Sequence, residues 1–142
     1  MLDLEGCMEK GLIKKTPPSK EQALLGMEKA EEVLEDAKAN LEEERYNSAA
    51  MLAYVSMLNA ARAVLFRDGY REKSHYCISR YLEEKYGDVL GKEMVKLLDA
   101  YRETRHEVQY SAAYNASPME AEEMVGFAGR FLKKVEEILE EK

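Results

Sequence analysis

Ten consecutive residues, Tyr101-Arg102-Glu103-Thr104-Arg105-His106-Glu107-Val108-Gln109-Tyr110, concentrate side chains suited to phosphate chemistry. On a helix Arg102, His106 and Gln109 fall one turn apart and share a stripe, with Arg105 and Tyr110 beside it. Guanidinium forks grip phosphate oxygens through paired N–H groups. Imidazole moves a proton near neutral pH. A second basic group comprises Arg62, Arg67, Arg71, Lys73, His75 and Arg80. Residues 59–80 carry five Lys/Arg against Asp68 and Glu72, whereas residues 21–45 carry nine acids against Lys29, Lys38 and Arg45. The competing reading of the ten-residue segment is an ordinary amphipathic helix. In it, Arg102 and Arg105 pair with Glu103, Glu107 or the acidic stretch at 21–45.

The elements that must position these residues are helical. The three prolines are Pro17, Pro18 and Pro118, so the 99 residues from Ser19 to Ser117 contain none. Proline breaks helix interiors, and its absence over such a span, without β-type alternation, reads as helices punctuated by glycine. Ser19-Lys20-Glu21-Gln22 fits a capping box, after which Leu24, Met27, Ala30, Leu34, Ala37 and Leu41 recur at the helical period. A second helix is expected over about 46–67, stopped by Gly69. Its stretch 49–61 is apolar nearly all round, which marks a helix buried on several sides. A third is expected over about 74–86, ending at Gly87. A fourth starts near Gly91 and runs past Tyr110, with core stripe Met94, Leu97, Leu98, Tyr101 and Val108. Ser117-Pro118-Met119-Glu120 caps a fifth, over about 118–141, that buries Met124, Phe127, Phe131, Val135 and Ile138. The expected fold is all-α, an antiparallel up-and-down four-helix bundle with an additional short helix, over 19–142. Residues 1–18 are expected to form an N-terminal arm.

Composition narrows the function. The chain has 142 residues and a formal net charge of −7, which disfavours non-specific nucleic-acid binding. Two cysteines and two histidines offer no zinc-type ligand set and no disulfide framework, so no metal or cofactor is expected. Phosphate-loop, dinucleotide and HExxH motifs are missing. Continuous apolar runs are too short for a membrane span, and no signal-type segment opens the chain. The expectation is a cytoplasmic protein in which Cys7 and Cys77 are reduced, buried thiols.

Several short pieces, taken in order, resemble the HEPN family of small helical domains linked to nucleotide and RNA biology. They are Gly11-Leu12-Ile13-Lys14-Lys15, Tyr46-Asn47-Ser48-Ala49-Ala50, and Ala60-Ala61-Arg62-Ala63-Val64-Leu65-Phe66 with Gly69-Tyr70. Lys73-Ser74-His75 and the 101–110 segment complete the set, which spans roughly residues 10–138. The resemblance implies a bundle that dimerises around a central cleft. It also implies a nucleotide or RNA ligand, and a minimal nucleotidyltransferase as partner in a toxin–antitoxin-type pair. Catalytic members are metal-independent endoribonucleases in which an Arg precedes a His by four to six intervening residues. Here three residues separate Arg102 from His106, and Arg105 directly precedes it, closer to the subgroup ending Arg-His-x-x-x-Tyr.

In the catalytic reading His106 is the general base or acid at a ribose 2′-OH or leaving oxygen. Arg102 and Arg105 hold the phosphate, and Gln109, Tyr110, Arg62, His75 and Lys73 supply binding contacts. The other readings are a binding module without catalysis and a structural homodimer without ligand.

Overall fold

The computed structural model describes residues 2–141. The chain forms α1 (Leu4–Glu9), β1 (Ile13–Lys15), α2 (Lys20–Glu42), α3 (Tyr46–Asp68), β2 (Tyr70–Glu72), α4 (His75–Leu90), α5 (Lys92–Tyr110) and α6 (Pro118–Glu140). The long helices α2, α3, α5 and α6 make the up-and-down bundle, with α4 as the added helix. The expected all-α class is observed.

The caps explain the boundaries. Ser19 Oγ accepts from Gln22 N at 3.1 Å, but the return half of the capping box does not form, because Ser19 N already donates to Phe66 O at 2.9 Å. That bond ties the start of α2 to the end of α3. Ser117 and Glu120 close both halves of their box at the start of α6. Gly69 ends α3 in the left-handed region at φ 89°. A Cβ there would sit 2.9 Å from both Pro18 Cγ and Thr16 O, so glycine is needed for conformation and for space. Gly87 does not stop α4: the helix kinks at Tyr86 and continues to Leu90, and Gly91 supplies the break instead.

The core lies around α3. Its apolar circumference is met by α2, α6, α5, α4 and β2 in turn. By length and composition α3 would pass for a membrane span, but 61% of its most apolar stretch is buried inside the bundle. Small residues bring α2 close to it. A Cβ on Gly26 would lie 3.3 Å from Ala63 Cβ, and the buried Ser56 hydroxyl donates to Ala30 O at 2.7 Å. The predicted α6 stripe is wholly buried, from Met124 to Ile138. Other predicted core positions are less enclosed: Leu24 is 63% exposed, and Leu41, Met94, Leu97, Tyr101 and Val108 are only partly buried, packed against the core from its edge. Helices α3 and α6 run the same way. Their C-terminal ends meet through Arg67 and Ile138, and their N-terminal ends through Asn47 and Ala116.

Two features lie outside the sequence expectations. Residues 13–15 and 70–72 pair as a two-stranded antiparallel ribbon, Lys14 opposite Arg71, which docks the N-terminal arm on the bundle. Cys7 and Cys77 are not reduced thiols but a disulfide, joining α1 to α4. Packing of α1 on the first turn of α4 brings their Cα atoms to 5.9 Å, within bridging range, although 70 residues separate them in sequence.

Candidate functional site

Four arginines and a histidine gather on the side of α3 that faces α4, α5 and β2. Tyr54 of α3 is the common neighbour of Arg62, Arg102, Arg105 and His75, and Arg80 joins them through Asp99. The Tyr54 side chain is 3% exposed, and among the described residues its hydroxyl makes no hydrogen bond to protein. The Arg105 guanidinium lies over the Tyr54 ring, 5.1 Å from the centroid, and the His75 ring lies 6.1 Å from it. Helix geometry produces the convergence. Arg102 and Arg105 are three apart on α5, and Ser74 caps α4 so that His75 opens it beside Tyr54.

Each cation is anchored differently. Arg62 Nε donates to Glu72 at 2.8 Å, a pair in which the glutamate is well buried. Asp99 bridges two guanidiniums, Arg80 at 2.5 Å and Arg102 at 2.6 Å. Arg80 Nε lies 3.8 Å from Glu83, too far for a hydrogen bond, and is buried without a partner. Both guanidiniums also approach the ring of Tyr76, with their carbons 4.7 Å (Arg80) and 5.3 Å (Arg102) from its centroid, an arrangement that favours both cations. Arg105 has no carboxylate among the described residues. Its Nη1 donates to Gln109 at 2.7 Å, and its Nε is buried with no acceptor. Four guanidiniums therefore face Glu72 and Asp99 alone, with Glu83 at the rim.

The titration behaviour follows. Burial lowers the pKa of His75 below its ordinary value; Arg62, Arg105 and Arg102 lower it further, and Glu72 opposes them. Burial raises the Tyr54 phenol, and the same three arginines partly offset that. His75 is thus held toward its neutral form by burial first and by the surrounding arginines second, and Tyr54 stays a neutral donor.

The residues singled out in the sequence separate into two groups. Arg62, His75, Arg102 and Arg105 come together. His106 is exposed and packs on Tyr110, with ring centroids 4.7 Å apart. It borders a shallow groove of about 650 Å³ that also touches Arg102, Arg105, Glu103, Glu107 and Tyr114. Gln109 serves as the acceptor for Arg105. Lys73 is exposed, and its backbone N–H holds Leu12 of the arm at 2.8 Å. The ordinary amphipathic pairing does not occur: neither Arg102 nor Arg105 pairs with Glu103, Glu107 or α2 among the described residues. Tyr54, Tyr76 and Asp99 escaped sequence reasoning. The tyrosines sit at core-like helical positions, and Asp99 carries no motif.

A second polar network stands at the end of the bundle where α3, α4 and α6 finish. Asp68 Oδ2 accepts from Tyr81 at 2.7 Å and Tyr86 at 2.5 Å. Arg67 donates to Asp68, to Tyr86 at 2.8 Å, and to the carbonyls of Ile138 and Glu141. Burial first, then the bond to Asp68, pushes Tyr86 up to about 12 and raises Tyr81 further. A hollow of about 970 Å³ lies beside this network, between Leu24, Met27 and Leu139. Every donor nitrogen of Arg67 is already engaged, so that hollow presents no unsatisfied cation.

Among the described residues no three His, Cys, Asp or Glu side chains are placed to hold a metal ion. No curated protein sequence matches the chain. Residues 24–138 match the family model described as HEPN domain, a span holding the bundle and every residue of the cationic cluster. The chain belongs to the HEPN family.

Proposed function

We propose that this HEPN domain is a nucleotide-binding module whose phosphate site is the cluster of Arg62, His75, Arg102 and Arg105 around Tyr54. The observation that carries the reading is Arg105, a guanidinium with a buried, unpartnered Nε and, among the described residues, no carboxylate. A buried donor without an acceptor is costly, and an anion removes the cost. Tyr54 adds an unbonded hydroxyl and an aromatic face. A nucleotide presented by, or shared with, a nucleotidyltransferase encoded beside this chain is the ligand the reading favours. A second copy of the chain completes the cleft, with exposed Tyr110 and Met119 flanking the α5–α6 connection as its contact.

Calorimetric titration with ADP and with pyrophosphate tests the phosphate site. Binding to the wild type that drops roughly tenfold or more in Arg105→Ala is expected, the size of one charge-assisted hydrogen bond. Equal heats for both proteins would refute it. Co-purification with a nucleotidyltransferase encoded beside this chain tests the pairing, and sedimentation tests the dimer.

A second reading, the metal-independent endoribonuclease, draws on the groove that touches Arg102, Arg105 and His106 together. There His106 takes the 2′-OH proton, and the arginines stabilise the phosphorane charge. Unchanged RNA cleavage in His106→Ala rules it out.

A further inference from the structure

The disulfide lies beside the cationic cluster, and the arm it holds reaches into it. Cys77 follows Tyr76, whose ring both Arg80 and Arg102 approach. The Tyr76 hydroxyl donates to Leu2 O at 3.0 Å and accepts from Arg80 Nη1 at 3.4 Å, so the first residues of the arm fix the tyrosine against which both guanidiniums rest. Residues 2–10 have a natural hinge behind them at Gly11, in the left-handed region at φ 71°. The attachments beyond the hinge are independent of sulfur: the β1–β2 ribbon, Lys73 N to Leu12 O, and Thr16 N to Gly69 O. Ahead of the hinge, the described residues are joined to α4 by the packing of Leu2 and Leu4, the disulfide and the Tyr76–Leu2 bond.

We infer that residues 2–10 are a redox-controlled strap, pinned by Cys7–Cys77, that holds Tyr76 and thereby orders Arg80 and Arg102 for anion binding. The statement about anions rests on the phosphate-site reading above; the strap itself does not. Release is a thiol–disulfide exchange with a dithiol. One thiolate of the reductant attacks a sulfur of the bridge, forming a mixed disulfide, and the other cysteine leaves as a thiolate that takes a proton. The second thiol of the reductant then displaces the remaining cysteine. The reductant departs as its own disulfide, and Cys7 and Cys77 together gain two electrons and two protons. Both sulfurs are fully buried, so the exchange waits on local opening of α1 about Gly11. Once reduced, the strap lifts, Tyr76 loses its acceptor, and the spacing of the guanidiniums relaxes. Pre-organised donors bind more tightly than mobile ones, so the oxidised chain is the high-affinity form.

The test compares the oxidised chain with the same chain in dithiothreitol, with full thiol formation verified by mass. Three readouts are taken: hydrogen exchange over residues 2–10, the Nε–H resonances of Arg80 and Arg102, and pyrophosphate affinity. The expected result is loss of protection at 2–10, movement of both arginine signals, and affinity lower by roughly three- to tenfold. Tyr76→Phe, with the disulfide intact, is expected to reproduce part of the affinity loss. Retained protection after reduction overturns the strap. Lost protection with unmoved arginine signals and unchanged affinity overturns the coupling. Absence of pyrophosphate binding in both states, with moving arginine signals, refutes the phosphate site and upholds the strap. Cys7→Ala/Cys77→Ala serves as a reductant-free copy. Should it not fold, the reduced wild type carries the comparison.

Discussion

Arg67 and Arg105 sit in the same bundle and meet different fates. Arg67 has three nitrogens, one carboxylate, one phenol and two helix-end carbonyls, all matched. Arg105 has an amide, an aromatic face and a buried nitrogen with nothing to donate to. The first network is balanced: Arg67 offsets Asp68, and two tyrosines supply the remaining donors. The second has surplus positive charge that the fold does not neutralise. A saturated buried network needs nothing from outside and acts as a clamp between helices. An unsaturated one stores a demand that an anionic ligand meets. On the proposed reading the ligand meets Arg105 while Arg67 serves the architecture, although a hollow of about 970 Å³ lies beside Arg67.

The contrast can be broken most decisively at Arg67. Arg67→Ala strips the cation from Asp68 and the donors from the α6 carboxyl end, and is expected to cost about 3 kcal/mol in urea denaturation. Its ADP affinity is expected to match wild type; a parallel loss of both would erase the distinction. Arg105→Ala is the mirror experiment. It lowers ADP affinity while stability stays within about 0.5 kcal/mol of wild type, because no native ion pair is removed.

Acidity sharpens the contrast further. The folded pKa of His75 lies below its unfolded value, so between the two the unfolded chain binds more protons. Stability therefore rises with pH through that window, and falls as pH drops from about 6.5 toward the folded value. His75→Gln is expected to remove that slope from pH-dependent melts. Anion binding runs the other way, strengthening as His75 gains its proton. The smallest effect is expected on the acidic face of α2. Breaking the exposed Lys38–Glu35 pair with Lys38→Ala is expected to change stability by less than about 0.5 kcal/mol.

Punctuation was the legible part of the sequence. Ser19, Gly69, Gly91, Ser117 and Pro118 act locally, through caps and φ values, and each sits at an observed boundary. Gly87 misled because the kink is set from afar: the Tyr86 hydroxyl is held by Asp68 and Arg67 across the bundle. The strands Ile13–Lys15 and Tyr70–Glu72 are too short to show alternation, and their pairing spans the whole α2–α3 hairpin. The cationic side chains could be read by type, and their helix faces by spacing. Their meeting point could not, because Tyr54 comes from α3, where every neighbour is also apolar. The disulfide was illegible for the same reason, being a contact between residues 70 apart.

The bridge also sets a path for mechanical force. A pull applied at the N-terminus passes from Cys7 straight to Cys77 and into α4, so α2, α3 and the ribbon lie on a slack covalent loop. The 69 residues between the two cysteines carry no tension while the bond is intact. After reduction the same pull loads them in series and releases roughly 240 Å of hidden chain, at about 3.5 Å per residue. In an optical trap, the oxidised and reduced proteins would differ in contour length by that amount. The most buried helix of the molecule is thus also the one best shielded from tension.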